Sequence, residues 1–193
     1  MEAGHTSRCR FAGWTVNLDP DTVAITSGYR QVGDQLTPAR LRAEAEAVMR
    51  RRFPWAGELR YDWSEKNGRG RARWQDWCGP VRMPTHLTVL ATATGTMHFS
   101  ARRVENPKYP VWVVTRADAE RIALERYPDY AIDGEPSLHL AHERTAWDLT
   151  MALRPGLENR PIARTLVLDA ITGEVAGEHV AGGIRRFVRR PHR

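Results

Sequence analysis

Cysteine and lysine are nearly absent, with two of each among 193 residues. Cys9 and Cys78 lie far apart and in no C-x-x-C pattern, so cysteine alone cannot supply a four-ligand zinc site. In an oxidising compartment they are able to pair, and in a reducing one they are ordinary thiols; the sequence leaves both open. Against Lys66 and Lys108 stand 27 arginines, a bias that GC-rich coding produces as readily as phosphate recognition does. No run approaches the roughly 18 apolar residues that a membrane-spanning helix needs. The first thirty residues hold no apolar h-region of a secretory signal. The expected setting is therefore cytoplasmic, or extracytoplasmic for a chain whose leader has been removed. Also missing are a Ser within G-x-S-x-G and any glycine run with P-loop or dinucleotide spacing.

What is present suits a globular chain. Apolar residues make up 41%, charged residues 27%, and there are seven tryptophans, enough for a core in one large or two small domains. The formal charge of +6 is unevenly placed, because Ile184 to Arg193 contain five arginines and no acid. The basicity belongs mainly to this tail rather than to a globular face.

The chain repeats itself. Ala45-Glu46-Ala47-Val48-Met49-Arg50-Arg51-Arg52-Phe53-Pro54 aligns with Ala119-Glu120-Arg121-Ile122-Ala123-Leu124-Glu125-Arg126-Tyr127-Pro128 at an offset of 74. Downstream, Leu87 to Met97 aligns with Thr165 to Val175 at an offset of 78, with Thr94-Gly95 matching Thr172-Gly173. Two matches in one order at similar offsets, each ending on the same stop or turn, favour an internal repeat.

Each repeat opens on a predicted helix. Thr37 is placed as N-cap with Pro38 at N1, where its missing N–H costs nothing. Leu41, Ala45, Val48 and Met49 fall on one stripe, and Pro54 ends the helix. In the second, Thr115 is the N-cap, Asp118 suits the dipole at N3, and Pro128 is the stop. Strands are expected at 59–63 and 71–77 around the Asn67-Gly68 turn, then at 86–90 and 96–99. The second repeat is expected to place strands at 137–141, 146–153, 164–169 and 174–179. Trp14 to Ile25 reads as strand, Asp-Pro-Asp turn and strand, able to cover a sheet edge. The predicted class is α+β: two tandem helix-on-antiparallel-sheet units with an extra N-terminal β-hairpin. The expected divisions are 1–36 for the hairpin, 37–106 and 107–181 for the repeats, and 182–193 for a basic flexible tail.

A helix stopped at an aromatic-Pro, followed by strands and a final V-x-L-D-x-x-T-G-x-V hairpin, resembles the PepSY family and the related YcdB/YcdC repeats. Thr115 to Val180 carries the better match, through Leu166-Val167-Leu168-Asp169-Ala170-Ile171-Thr172-Gly173-Glu174-Val175. Thr37 to Phe99 matches less well, with Ala91 where the family often has Asp. The resemblance implies a cystatin-like fold and a bacterial, non-catalytic module, often outside the cytoplasm and linked to modulating peptidases. It carries over no catalytic residue, cofactor or metal.

Candidate chemistry is sparse. His139, His142 and Glu143 form H-x-x-H-E, but Ser137-Leu138-His139-Leu140 alternates as a strand does, which sends the two histidines to opposite faces. The densest feature is the hairpin holding Tyr61, Trp63, Trp74 and Trp77 among Arg60, Arg69, Arg71 and Arg73. As a binding site, Trp63, Trp74 and Trp77 with Arg71 and Arg73 form a stacking platform for an acidic, carbohydrate or nucleic-acid ligand. As plain structure, the rings are core against the first helix and the arginines are its solvated back, the commoner role of large aromatics. In the tail, Arg185, Arg186, Arg189 and Arg190 are candidates for a polyanion or an anionic surface, or else a solubilising end. The leading expectation is a non-enzymatic module binding a protein or peptide through an open sheet face or edge strand. The alternatives are a polyanion or nucleic-acid binder and an unrecognised hydrolase.

Overall fold

The computed structural model describes residues 7–11, 13–19, 24–31, 35–141, 143–157 and 161–180. They divide into two compact units, one from Met1–Asp76 with Pro84–Glu105, the other from Trp77–Met83 with Asn106–Arg193.

In the first unit, β1 (Ser7–Phe11), β2 (Trp14–Leu18) and β3 (Ile25–Gln31) run antiparallel, and β3 pairs with β7 (Thr96–Arg102). Strand β7 pairs with β6 (Val81–Thr92), which also pairs with β5 (Arg69–Cys78), and β5 with β4 (Arg60–Lys66). Helix α1 (Pro38–Arg52) and a 3-10 turn at Pro54–Glu58 stand between β3 and β4. The core joins Leu41, Ala45 and Val48 of α1 to Trp14 and Val16, Ala72 and Trp74, Leu87 and Val89, and Phe99. These positions follow helical spacing on α1 and strict alternation on the strands, so each element offers one apolar face.

In the second unit, β10 (Arg144–Leu153) takes β11 (Ala163–Asp169) on one edge. Its other edge pairs with β9 (Ser137–Ala141) and β8 (Tyr130–Ile132). Strand β12 (Val175–Val180) closes on β11. The start of β6 also belongs here, with Arg82 paired in parallel to His139. Ala119 and Ala123 of α2 (Arg116–Arg126) share a core with Leu138, Leu140, Trp147, Leu149, Leu166 and Leu168. Val81 and Met83 of β6 complete it.

Local chemistry explains the turns. Asn67 and Gly68 both have positive φ, 52° and 68°, as a two-residue hairpin of right-handed strands requires. At the β11–β12 turn, Asp169 Oδ1 accepts from the N–H groups of Ile171 (2.9 Å) and Thr172 (3.0 Å), which is why D-x-x-T-G serves there. The β6–β7 turn has Ala91 at the matching place and instead uses Thr92 Oγ1, which accepts from Thr96 N–H at 3.1 Å.

The expected pair of tandem helix-on-sheet units with an added hairpin is corrected by these strands. They are hydrogen-bonded as a sheet of 12, nine in one order with β4, β5 and β8 branching from it, accompanied among the described residues by two α-helices. An α+β, cystatin-like, repeated description gives way to a mostly β architecture. The physical reason is β6. Read from sequence as 86–90, it starts at Val81 and buries every second residue through Ala91, so a strand expected to serve one unit gives its first residues to the second and the rest to the first. The N-terminus likewise supplies three strands rather than one hairpin. Cys9 and Cys78 are free thiols. No helix among the described residues is long and apolar enough to cross a membrane.

The two N-caps differ. Thr115 Oγ1 accepts from Asp118 N–H at 3.2 Å and donates to Asp118 Oδ2 at 2.7 Å. Thr37, placed as a side-chain cap by the sequence, makes no such bond. Replacing Thr115 by Ala is expected to cost about 1 kcal/mol in urea unfolding, and Thr37→Ala only a few tenths. Equal losses in the two variants would contradict the assignment.

Candidate functional site

The hairpin singled out in the sequence pairs Tyr61 with Trp74 and Trp63 with Ala72. Alternation therefore sets these four on one face and Arg71 and Arg73 on the other. Trp74 is buried in the first core, and Tyr61 and Trp63 pack against it. Trp63 lies across Gly70, where a Cβ would come within 2.2 Å of its ring, so only glycine admits the indole. The Tyr61 hydroxyl donates to Glu46 of α1 at 3.0 Å, and Arg42 stands 5.5 Å over the Tyr61 ring. Burial and the bond to Glu46 raise the Tyr61 phenol above its usual pKa, keeping it a neutral donor. On the opposite face Arg71 is exposed, and Arg73 donates to Gln75 Oε1 at 2.6 Å. Trp77 is exposed, at the end of β5 within the second unit. The tail arginines Arg185, Arg186, Arg189 and Arg190 lie outside the described residues, as does His142.

His139 is a histidine whose pKa its surroundings lower. It projects from β9 on the face away from Leu138 and Leu140, half-buried, with Nδ1 3.3 Å from Asp148 Oδ2. The Nδ1 atom is off the line of a hydrogen bond and has no bonding partner. Arg82 stands 3.8 Å from the same carboxylate. Burial lowers the His139 pKa; Asp148 opposes that, and Arg82 adds to it. Ser137 sits cross-strand from Asp148, yet no hydrogen bond joins it to His139, so the three do not form a nucleophile–base–orienter relay. Among the described residues no three His, Cys, Asp or Glu side chains cluster to hold a metal.

Two surfaces have shapes that the sequence did not disclose. The first is the segment after Asn106. Pro110 is fully buried, while Tyr109 is 79% exposed, Val111 56%, Trp112 39% and Val113 69%. The backbone is pinned: Val111 N–H donates to Thr145 Oγ1 at 3.1 Å. The N–H groups of Val113 and Val114 both donate to Ala170 O, at 2.8 and 2.9 Å. Ile171, next to that acceptor, is 52% exposed. The alternation of prolines, aromatics and valines from 107 to 113 was the available signal, but exposure is not readable from it.

The second surface belongs to the first unit. A cavity of about 280 Å³ is lined by Trp14, Val16, Ile25, Phe53 and Phe99, with Arg51 and Arg52 beside them. An adjacent one of about 640 Å³ shares Ile25, Arg52 and Phe53 and adds Trp55, Arg102 and Arg103. Phe99 holds the floor, 5.2 Å from Trp14 edge-on and 5.0 Å from Phe53. No sequence motif marks it, because its residues come from β2, β3, the end of α1 and the end of β7.

A depressed His139 pKa means that the unfolded chain takes up the proton first as pH falls below the reference 6.5. The stabilisation is whole above that value and is lost progressively below it. The expected result is a stability loss between pH 7 and pH 5 that His139→Gln reduces; an identical pH dependence in the variant would show His139 uninvolved.

No family model and no curated protein matches the chain. Among solved structures, the C-terminal domain of YpeB from Bacillus megaterium is similar to it, with 11% identity and a TM-score of 0.46 over 86% of this chain and 76% of that one. A likeness at this level assigns neither family nor activity.

Proposed function

We propose that the chain is a non-catalytic module that binds a protein or peptide partner. The observation that supports this reading is the apolar ridge of Tyr109, Val111, Trp112 and Val113, flanked by Ile171. Scattered exposed apolar residues need no explanation, but a run of four held outward is different. Water gains nothing from ordering such a surface, and folding does not require it, since Pro110 and the backbone bonds to Thr145 and Ala170 already fix the segment. Aromatic and branched side chains presented on a fixed backbone suit the centre of an interface. The ridge takes the place of the open sheet face as the contact surface, while β12 stands last in the order of the same unit's strands. The resemblance of Leu166 to Val175 to the PepSY closing hairpin makes a peptidase the first class of partner to try.

The test is a peptide-display selection on the full chain, with enriched peptides then titrated by fluorescence polarisation. Val111→Asp with Val113→Asp is expected to weaken binding at least about tenfold, roughly 1.4 kcal/mol, with the melting temperature unchanged. Peptides that bind the variant as well as the parent, or no enrichment at all, would remove the ridge from the proposal.

A further inference from the structure

The first unit carries a second surface whose chemistry differs from that of the apolar ridge. Its two cavities form one groove, since Ile25, Arg52 and Phe53 line both. The floor is aromatic, with Phe99 in ring contact with both Trp14 and Phe53. Volumes of about 280 and 640 Å³ fall around the range of small-molecule sites. Four arginines, Arg51, Arg52, Arg102 and Arg103, line this groove against two acids, Asp19 and Glu105.

The helix explains only half of that charge. Arg51 and Arg52 occupy the last turn of α1, where cations complement the dipole. Arg102 and Arg103 come from the end of β7 and the residue after it, where no such field acts. Arg51, Arg102 and Arg103 are exposed and carry no ion pair among the described residues. Two independent elements thus bring unspent guanidinium groups to the margin of one apolar hollow. A guanidinium fork matches a carboxylate in two parallel hydrogen bonds. An apolar floor rewards a body that leaves water, at about 0.8 kcal/mol per buried methylene. A bare anion would leave the floor wet, and a neutral hydrocarbon would leave the arginines unused.

We propose that the groove binds a small amphiphilic carboxylate, with a medium-length acyl chain over Trp14, Phe53 and Phe99 and its carboxylate at the arginines. This site stands on its own observations and is separate from the ridge of the second unit.

The experiment titrates the full chain with decanoate below its micellar range, followed by tryptophan fluorescence and calorimetry. Decylamine, decanol and acetate are the comparison ligands. Saturable binding of decanoate is expected, with decanol at least about tenfold weaker for want of the charged hydrogen bonds. Decylamine and acetate should show none. Arg51→Gln with Arg103→Gln should weaken decanoate about tenfold and leave decanol unchanged. Ile25→Trp, which fills the groove, should abolish both. The arginine pair lies at exposed positions, so it keeps the test valid should Ile25→Trp disturb the fold, and thermal unfolding of each variant checks this. Absence of saturable binding would overturn the proposal, as would equal affinity for decanoate and decylamine. Tight binding of a Glu-rich peptide with a central Trp in place of decanoate would also overturn it, assigning the groove to a protein partner.

Discussion

Everything in the sheet depends on one strand, β6, keeping its alternation for 12 residues without a break. Val81 and Met83 are buried with the second core, and Leu87, Val89 and Ala91 with the first. A slip of one residue anywhere between would turn one of those sets to solvent. Burying a side chain of this size is worth about 1.5–3 kcal/mol, so the register is held from both ends. Pro84, with no N–H to give, sits inside the strand. Near it, Thr85 Oγ1 accepts from Val104 N–H at 3.1 Å, and Gln75 donates to Thr85 O at 3.1 Å. Those bonds supply polar partners where a proline weakens the ladder.

Ion pairs are numerous but secondary beside that burial. Several join side chains one helical turn apart, as in Arg42–Glu46, Arg116–Glu120 and Arg121–Glu125, and are worth a few tenths of a kcal/mol each. Another, that of Arg164, ties elements together through tyrosine rings. Arg164 packs 4.6 Å over Tyr127 and 5.1 Å over Tyr130. It also pairs with Glu178, which accepts from the Tyr127 hydroxyl at 2.7 Å. These contacts orient the end of α2 on β11 and β12 rather than supplying the bulk of stability.

The signals that proved legible were those whose cause is local. Proline at N1 and an aromatic-Pro stop bound α1, and Thr115 with Asp118 began α2, because caps act within one turn. Asn67-Gly68 gave its hairpin for the same reason. What stayed hidden was set by distant partners. The strand expected at 86–90 starts at Val81 instead, since β5 and β9 offer partners to its first residues. Strand β8 has three residues and exists only because Leu153, Ala152 and Met151 offer it an edge. The aromatic hairpin was read both as platform and as core. Only the placement of Trp74 and the Trp63–Gly70 contact, which span β4 and β5, show how its rings pack.

What suits the segment after Asn106 to the proposed role of a contact surface is likewise pinning rather than composition. A free segment with the sequence of Tyr109 to Val113 would lose backbone freedom on meeting a partner, at about 1–2 kcal/mol per residue. Here Pro110 is buried, and the N–H groups of Val111, Val113 and Val114 are already bonded to Thr145 and Ala170. Most of that cost is met when the chain folds, so apolar burial on association is offset by far less. The same reasoning distinguishes the ridge from the half-buried His139 and Asp148, which are also fixed but lack any aligned donor between them. Rigidity at the ridge leaves surface to bury, whereas rigidity at His139 holds a proton-bearing group out of hydrogen-bond geometry.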